Sequence, residues 1–131
     1  MEHDTIVGCS ILVVEEEQFV ARCLQIFLEG MGAKVHYAAR AVEAMQIIDR
    51  KVLSAGVLSS NKACRPIAQR LSRLGLPFVL CRDVADASAW PGTPFLAKPV
   101  AGFQLVQVLC RLIGAERNPT GGPPQLAVQG T

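Results

Sequence analysis

Five charged or polar side chains each lie at the carboxyl end of a short apolar run in the sequence. They are Glu15, Glu16, Ser59, Arg82 and Lys98. If these runs are neighbouring parallel strands, their carboxyl ends meet at one cleft, which is where ligands bind and chemistry takes place in such sheets. Two carboxylates, one hydroxyl and two cations would then share that cleft, with Ser59 at the end of the central strand.

The hydrophobic pattern predicts the elements that would position these residues. Short β-rich runs predict five strands, at about 10–14, 33–37, 54–58, 76–81 and 93–97, of which the first and third are apolar enough to be buried. Apolar residues at helical spacing predict helices after Glu17, at about 41–51, from about Pro66 to Gly75, and at about 102–113. The segment 82–92 has room for only about two turns of helix. This alternation predicts an α/β fold with a parallel sheet, right-handed crossovers and a shortened fourth helix.

Length and charge limit the kinds of protein that this chain can be. Its 131 residues fit one domain, and a hydrophobic content of 50% is enough to cover a sheet on both faces. We predict an N-terminal extension at 1–8, a folded domain at 9–114 and a flexible tail at 115–131. The net charge is +2 and no basic run is longer than Arg50-Lys51, so nothing in the charge pattern indicates binding to nucleic acid or to a membrane.

The five cysteines show no pattern typical of a metal site or a redox pair. They are widely spaced, with no CxxC motif and no cysteine–histidine pair at the spacing of a zinc site. We therefore predict small buried side chains in a reducing compartment. The N-terminus lacks the positive flank of a signal peptide, and the apolar runs are far shorter than a membrane span. These features predict a cytoplasmic protein.

Several short motifs follow one another in a fixed order along the chain. They are Ile11–Glu17, the turn at Gly32 into Val35, Val57–Asn61, Pro77–Val79 and Phe95–Pro99. As an ordered set, with Lys98-Pro99 directly after the fifth strand, they resemble the receiver domain of two-component response regulators. The resemblance covers residues 9–114 and implies a flavodoxin-like, CheY-like, doubly wound sheet with the strand order 2-1-3-4-5.

The resemblance also implies roles for the residues of the cleft. In that family, an acidic pair after the first strand and an aspartate ending the third hold a magnesium ion, and the aspartate accepts a phosphoryl group from a histidine kinase. Glu15 and Glu16 match the acidic pair, and Ser59 stands at the phosphoacceptor position. The other matches are Arg82 where the family has a threonine or serine, Lys98 as the lysine that contacts the phosphoryl oxygens, and Phe95 as the aromatic residue that moves on activation.

Ser59 and Arg82 depart from the family pattern at positions that matter for phosphorylation. An acyl phosphate needs a carboxylate nucleophile, and Ser59 has no charge and no evident base beside it in the sequence. Mg²⁺ prefers carboxylate oxygens in near-octahedral geometry, so the loss of one carboxylate should weaken its binding considerably. We therefore expect no cofactor and weak or absent metal binding, with Glu15 and Glu16 as the candidate ligands.

The two cations of the cleft allow two arrangements. Arg82 and Lys98 could pair directly with Glu15 and Glu16, and would then fill the space that Mg²⁺ and a phosphoryl group otherwise occupy. In the other arrangement, Arg82 points into solvent and the cleft is vacant. The sequence leaves both arrangements open.

Taken together, these residues predict a stand-alone receiver-like domain that is not an enzyme and acts as a protein-interaction module without aspartyl phosphorylation. The expected partner is a histidine kinase, another regulator, or a second copy bound through a face that holds Trp90, Phe95 and Phe103. Two alternatives stay open: a receiver phosphorylated at an unusual residue such as Ser59, and a small ligand-binding α/β domain or enzyme using the same cleft. Against the second, no glycine-rich phosphate loop follows the first strand and no nucleophile–base pair is evident.

Overall fold

Five parallel β-strands form the central sheet of the protein. The computed structural model describes residues 6–59, 62–82, 94–97 and 101–117. The strands are β1 (Ser10–Val14), β2 (Lys34–Ala38), β3 (Ala55–Ser59), β4 (Phe78–Arg82) and β5 (Phe95–Ala97). Their order is β2-β1-β3-β4-β5, and every neighbouring pair is parallel. The predicted doubly wound α/β fold is therefore confirmed.

The described part of the chain contains four α-helices. They are α1 (Gln18–Gly30), α2 (Ala41–Arg50), α3 (Arg65–Arg73) and α4 (Gly102–Arg117), and a short 3₁₀ helix (Lys62–Cys64) precedes α3. Pro66 lies in the first turn of α3, where its missing N–H would have had no helical partner. Among these described helices, none is long and apolar enough to cross a membrane. The short helix predicted within 82–92 lies almost entirely outside the described residues, so it stays a prediction.

Described residues on both sides of the predicted 9–114 domain also take part in the structure. Ile6 is fully buried, and the N–H of Gly8 donates a hydrogen bond of 2.9 Å to the carbonyl oxygen of Gly32. Residues 6–8 are thus attached to the turn before β2. At the other end, α4 continues to Arg117, into the segment predicted to be a tail. The bounds of the extension, the domain and the tail stay a prediction.

Two separate hydrophobic clusters cover the two faces of the sheet. Successive strand residues point to opposite faces, so each inner strand contributes to both clusters. One cluster faces α1 and α4 and includes Ile11, Val13, Val57, Leu105 and Leu109. The other faces α2 and α3 and includes Leu12, Leu58, Ile48, Ile67 and Leu71. Burial on both faces explains why the inner strands are continuous apolar runs.

Candidate functional site

The strand register brings the end of β1 and the end of β3 together. Val14 of β1 pairs with Leu58 of β3, so the next residues, Glu15 and Ser59, follow at the same edge of the sheet. Ser59 in turn pairs with Cys81 of β4. Both Glu15 and Ser59 are buried, with 3% and 7% of their surface exposed. The structure therefore sets a buried acid and a buried serine at the edge where parallel α/β sheets carry their sites.

The β4 and β5 side of this edge is only partly described. Arg82 ends β4 and pairs with Ala97 of β5, but its side chain lies outside the described residues, as do Lys98 and Trp90. The predicted pairing of the two cations with the two carboxylates therefore stays a prediction. Phe95 is partly buried and packs against the cluster that faces α2 and α3.

Glu15 is held by hydrogen bonds through three of its groups. Its N–H donates to the carbonyl oxygen of Ala38 at 3.1 Å, and its own carbonyl oxygen accepts from the Tyr37 hydroxyl at 3.0 Å. Its carboxylate oxygen Oε2 accepts from the N–H of Glu17, the residue that precedes α1, at 3.0 Å. The carboxylate thus has a fixed orientation and satisfies a backbone donor at the start of a helix.

Tyr37 reinforces this arrangement from the edge strand β2. Burial raises the pKa of the Tyr37 hydroxyl, and the negative charges of Glu43 and Glu15 raise this pKa further. The hydroxyl consequently stays protonated at neutral pH. It remains a hydrogen-bond donor to the backbone at the end of β1.

A cavity of about 230 Å³ opens beside this edge, between the ends of β1 and β3, the start of α2 and the segment before α3. The described residues that line it are Val14, Glu16, Ala39, Arg40, Ala41, Ser59, Ala63 and Cys64. Most of these side chains are small, which leaves the space open. The structure thus brings the exposed Glu16 and the buried Ser59 to a single cavity, together with the cation of Arg40.

Arg40 is the lining residue that sequence reasoning missed. The sequence predicts a cleft formed by the ends of the first, third, fourth and fifth strands, without the second. The connection from β2 to α2 nevertheless reaches the cavity, and Arg40 is the charged residue directly before α2. A cation two residues past the end of β2 was the signal that could have found it.

The donors at this edge suit a magnesium ion poorly. Mg²⁺ needs about six oxygen ligands in near-octahedral geometry and prefers carboxylates. Glu15 already uses a carboxylate oxygen for the backbone of Glu17, Glu16 is exposed, and Ser59 adds only a neutral hydroxyl. Across the described ranges, no three His, Cys, Asp or Glu side chains are grouped closely enough to hold a metal ion.

Comparison with solved structures identifies the fold. A putative response regulator from Chloroflexus aurantiacus is 25% identical, with a TM-score of 0.69 over 81% of this chain and 98% of that one. A CheY-like receiver domain protein from Methanospirillum hungatei is 17% identical, with a TM-score of 0.75 over 86% and 98% of the two chains. The receiver domain of a Francisella response regulator is 15% identical, with a TM-score of 0.69 over 81% and 97%.

The chain has the fold of a response regulator receiver domain. No protein-family model matches its sequence, and no curated protein matches it either. In this receiver fold, the carboxyl end of β3 carries Ser59, beside Glu15 in the register of the sheet. The fold is thus shared with receiver domains, and Ser59 ends the central strand of the sheet.

Proposed function

We propose that this receiver-like chain is a protein-interaction module of two-component signalling that works without aspartyl phosphorylation and is not an enzyme. The observation that supports this most is the buried Ser59 at the end of β3, next to Glu15 in register. The family resemblance assigns the phosphoacceptor carboxylate to this position. The fold of a receiver is therefore present without the acid that receives the phosphoryl group.

The chemistry of a hydroxyl differs from that of the missing carboxylate. A carboxylate is already an anion at neutral pH, whereas a serine hydroxyl needs a general base before it becomes a nucleophile. A phosphorylated serine would also be a phosphate ester and not an acyl phosphate. Ser59 therefore cannot give the product on which aspartyl switching depends, even if it were modified.

The proposal also covers metal binding, the binding partner and the cellular location. We expect Mg²⁺ to bind weakly or not at all, since the third carboxylate is missing and the Glu15 carboxylate is engaged by a backbone N–H. The partner is a signalling protein, such as a histidine kinase or another regulator, or a second copy of the chain. It is neither a nucleic acid nor a membrane, and the protein acts in the cytoplasm.

A phosphotransfer experiment tests this proposal. The full chain is incubated with Mg²⁺ and either radiolabelled acetyl phosphate or a radiolabelled phosphorylated histidine kinase. We expect no label on the protein, while a receiver that retains its aspartate serves as the positive control for the donor. Label on the wild type that disappears in Ser59→Ala would instead show a receiver phosphorylated at an unusual residue.

A second candidate function is the binding of a small charged molecule in the cavity. It is favoured by one observation: a space of about 230 Å³ lined by Glu16, Arg40 and Ser59. A thermal-shift screen of small anionic and zwitterionic metabolites tests it, because a ligand that binds only the folded state raises the melting temperature as its concentration exceeds its Kd. A shift on the wild type that Arg40→Ala removes would favour this function over the interaction module.

A further inference from the structure

One face of α1 is apolar and yet turned to solvent. Phe19 is 78% exposed, Ile26 is 58% exposed and Phe27 is 37% exposed, and Cys23 is exposed as well. Their spacing of four, seven and eight residues places them on one stripe along the helix. The buried residues of α1 are different ones, namely Ala21, Leu24 and Leu28. The exposed stripe is therefore additional to the apolar face that the core requires.

This stripe continues onto α4. The ring of Phe27 lies against Gly102, so close that a Cβ on that glycine would be 2.7 Å from the ring. The next residue, Phe103, is 63% exposed. We name Phe19, Cys23, Ile26, Phe27 and Phe103 the α1–α4 patch. Its large side chains expose on the order of 400 Å², taking roughly 200 Å² for each when fully exposed, and apolar patches of about that size are often functional.

Two opposite charges border the patch along α1. Arg22 and Glu29 are both exposed and lie two turns apart on the same edge of the stripe, about 10 Å from each other, with Ile26 between them. Residues at that separation cannot pair along a helix as residues three or four apart do. Within the described part of the chain, Glu29 accepts a hydrogen bond from Gln25, and neither charge forms an ion pair. Both charges can therefore be used by a partner.

We propose that the α1–α4 patch binds a second copy of this chain, with the two α1 helices antiparallel about a two-fold axis near Ile26. A two-fold axis of this kind brings the same edge of both helices together. Arg22 then faces Glu29 of the partner subunit, and Glu29 faces Arg22 of the partner subunit. The charges on one α1 helix are thus complementary to those on a second copy of the same helix. Such self-complementarity is required of an isologous interface, and it favours a second copy of the chain as the binding partner.

The size of the patch fits this arrangement. One partner in a standard interface buries roughly 800 Å², so the apolar patch supplies about half and the polar residues around it supply the rest. An apolar centre with a charged rim is the usual composition of such an interface. The inference specifies the self-association named in the proposed function but does not depend on phosphorylation. A monomeric chain would contradict it and leave the phosphotransfer result unchanged.

Sedimentation velocity of the full chain over a range of concentrations tests the dimer. We expect a reversible monomer–dimer equilibrium, and a chain that stays monomeric throughout contradicts the proposal. Ile26→Glu sets two like charges beside the axis and should raise the dissociation constant on the order of 100-fold. Val42→Glu is the matched control, since Val42 is a helical residue of α2 with 67% exposure, and it should leave the constant unchanged. Equal effects of the two variants would also contradict the proposed surface.

A charge exchange tests the antiparallel geometry. Arg22→Glu alone, or Glu29→Arg alone, turns both attractive contacts into repulsive ones, and each should raise the dissociation constant about tenfold. The double variant Arg22→Glu/Glu29→Arg exchanges the two signs and should return the constant to within about twofold of the wild type. Such a rescue has no explanation within one copy, where the two side chains are too far apart to pair. A double variant that is as weak as either single variant overturns the proposed pairing.

Discussion

Glu15 stabilises the fold at the edge of the sheet where the functional site is expected. Its carboxylate accepts a hydrogen bond from the N–H of Glu17, and Glu17 itself provides no side-chain cap for α1. Glu15 thus supplies a hydrogen-bond acceptor near the start of α1, where the side chain of Glu17 supplies none. A negative charge at this position is also stabilised by the positive end of the helix dipole. One carboxylate of the acidic pair is therefore needed by the fold, whether or not a ligand binds.

We predict that Glu15→Ala lowers the free energy of unfolding by about 1–2 kcal/mol, because a backbone donor at the start of α1 loses its acceptor. Glu16→Ala is the matched control. Glu16 is the exposed neighbour, so its loss should change stability by less than about 0.5 kcal/mol. Urea denaturation of the two variants measures the difference. Equal stabilities for the two would mean that the Glu15 carboxylate does not support the helix.

His36 is the described histidine of the chain, and its environment disfavours the charged ring. Burial lowers the pKa of the His36 imidazole below 6.5, and the positive charges of Lys51 and Lys34 lower it further. In the unfolded chain the ring takes up a proton near pH 6.5, while in the folded chain it does so only at lower pH. Protonation therefore favours the unfolded state.

We predict that the protein loses stability as the pH falls through about 6.5, because the unfolded chain then binds more protons than the folded one. The loss should level off once the pH is below the lowered pKa of the folded state. Melting temperatures measured between neutral and mildly acidic pH give this slope. In His36→Gln the part of the slope in this range should disappear, and a slope that persists unchanged would assign it to other groups.

At the scale of elements, the turn from α1 into β2 depends on Gly32. Its φ of +98° lies in the region that residues with a side chain rarely adopt. A Cβ at this position would also lie 2.8 Å from Cγ2 and 3.1 Å from Cα of Val7. The Gly8 N–H binds the Gly32 carbonyl oxygen in the same place. The glycine therefore allows the N-terminal segment to close over the turn.

We predict that Gly32→Ala destabilises the fold by about 1–3 kcal/mol, through backbone strain and the clash with Val7. Gly30→Ala, two residues earlier at the end of α1, is the control. A Cβ there would have no atom within 4 Å, so this variant should be neutral or more stable by up to about 1 kcal/mol. Thermal or urea unfolding compares the two. Similar losses in both variants would contradict the role assigned to the turn.

Helix α1 shows that a hydrophobic pattern does not reveal which apolar side chains the core buries. Its apolar residues predict a helix with two adjacent stripes, one with Phe19, Cys23, Phe27 and Met31 and one with Val20, Leu24 and Leu28. The core buries Leu24 and Leu28 of the second stripe, and Phe19 of the first is left 78% exposed. Hydrophobic period gives the direction of an apolar face but not what covers it. A core face and an interaction face therefore look alike in the sequence.

For the whole molecule, the sequence predicts the fold well because the inner strands are buried on both faces. A continuous apolar run such as Ser10–Val14 indicates a strand that is buried on both faces of the sheet. The alternation of such strands with helices is compatible with only a few topologies. The sequence also predicts that Glu15 and Ser59 lie close together, because parallel strands align their carboxyl ends. Arg40 could not be derived in this way, because its place at the cavity depends on the path of a connection and not on a strand end.

The proposal that Ser59 stands in place of a phosphoacceptor acid is tested most directly by introducing an acid there. Wild type and Ser59→Asp are incubated side by side with acetyl phosphate and Mg²⁺, and intact-mass spectrometry records any phosphoryl adduct before and after hydroxylamine, which cleaves acyl phosphates but not phosphate esters. We predict no adduct on the wild type and a hydroxylamine-labile adduct on Ser59→Asp. A phosphoryl adduct on the wild type, labile or stable, would contradict the proposal that this chain works without phosphorylation.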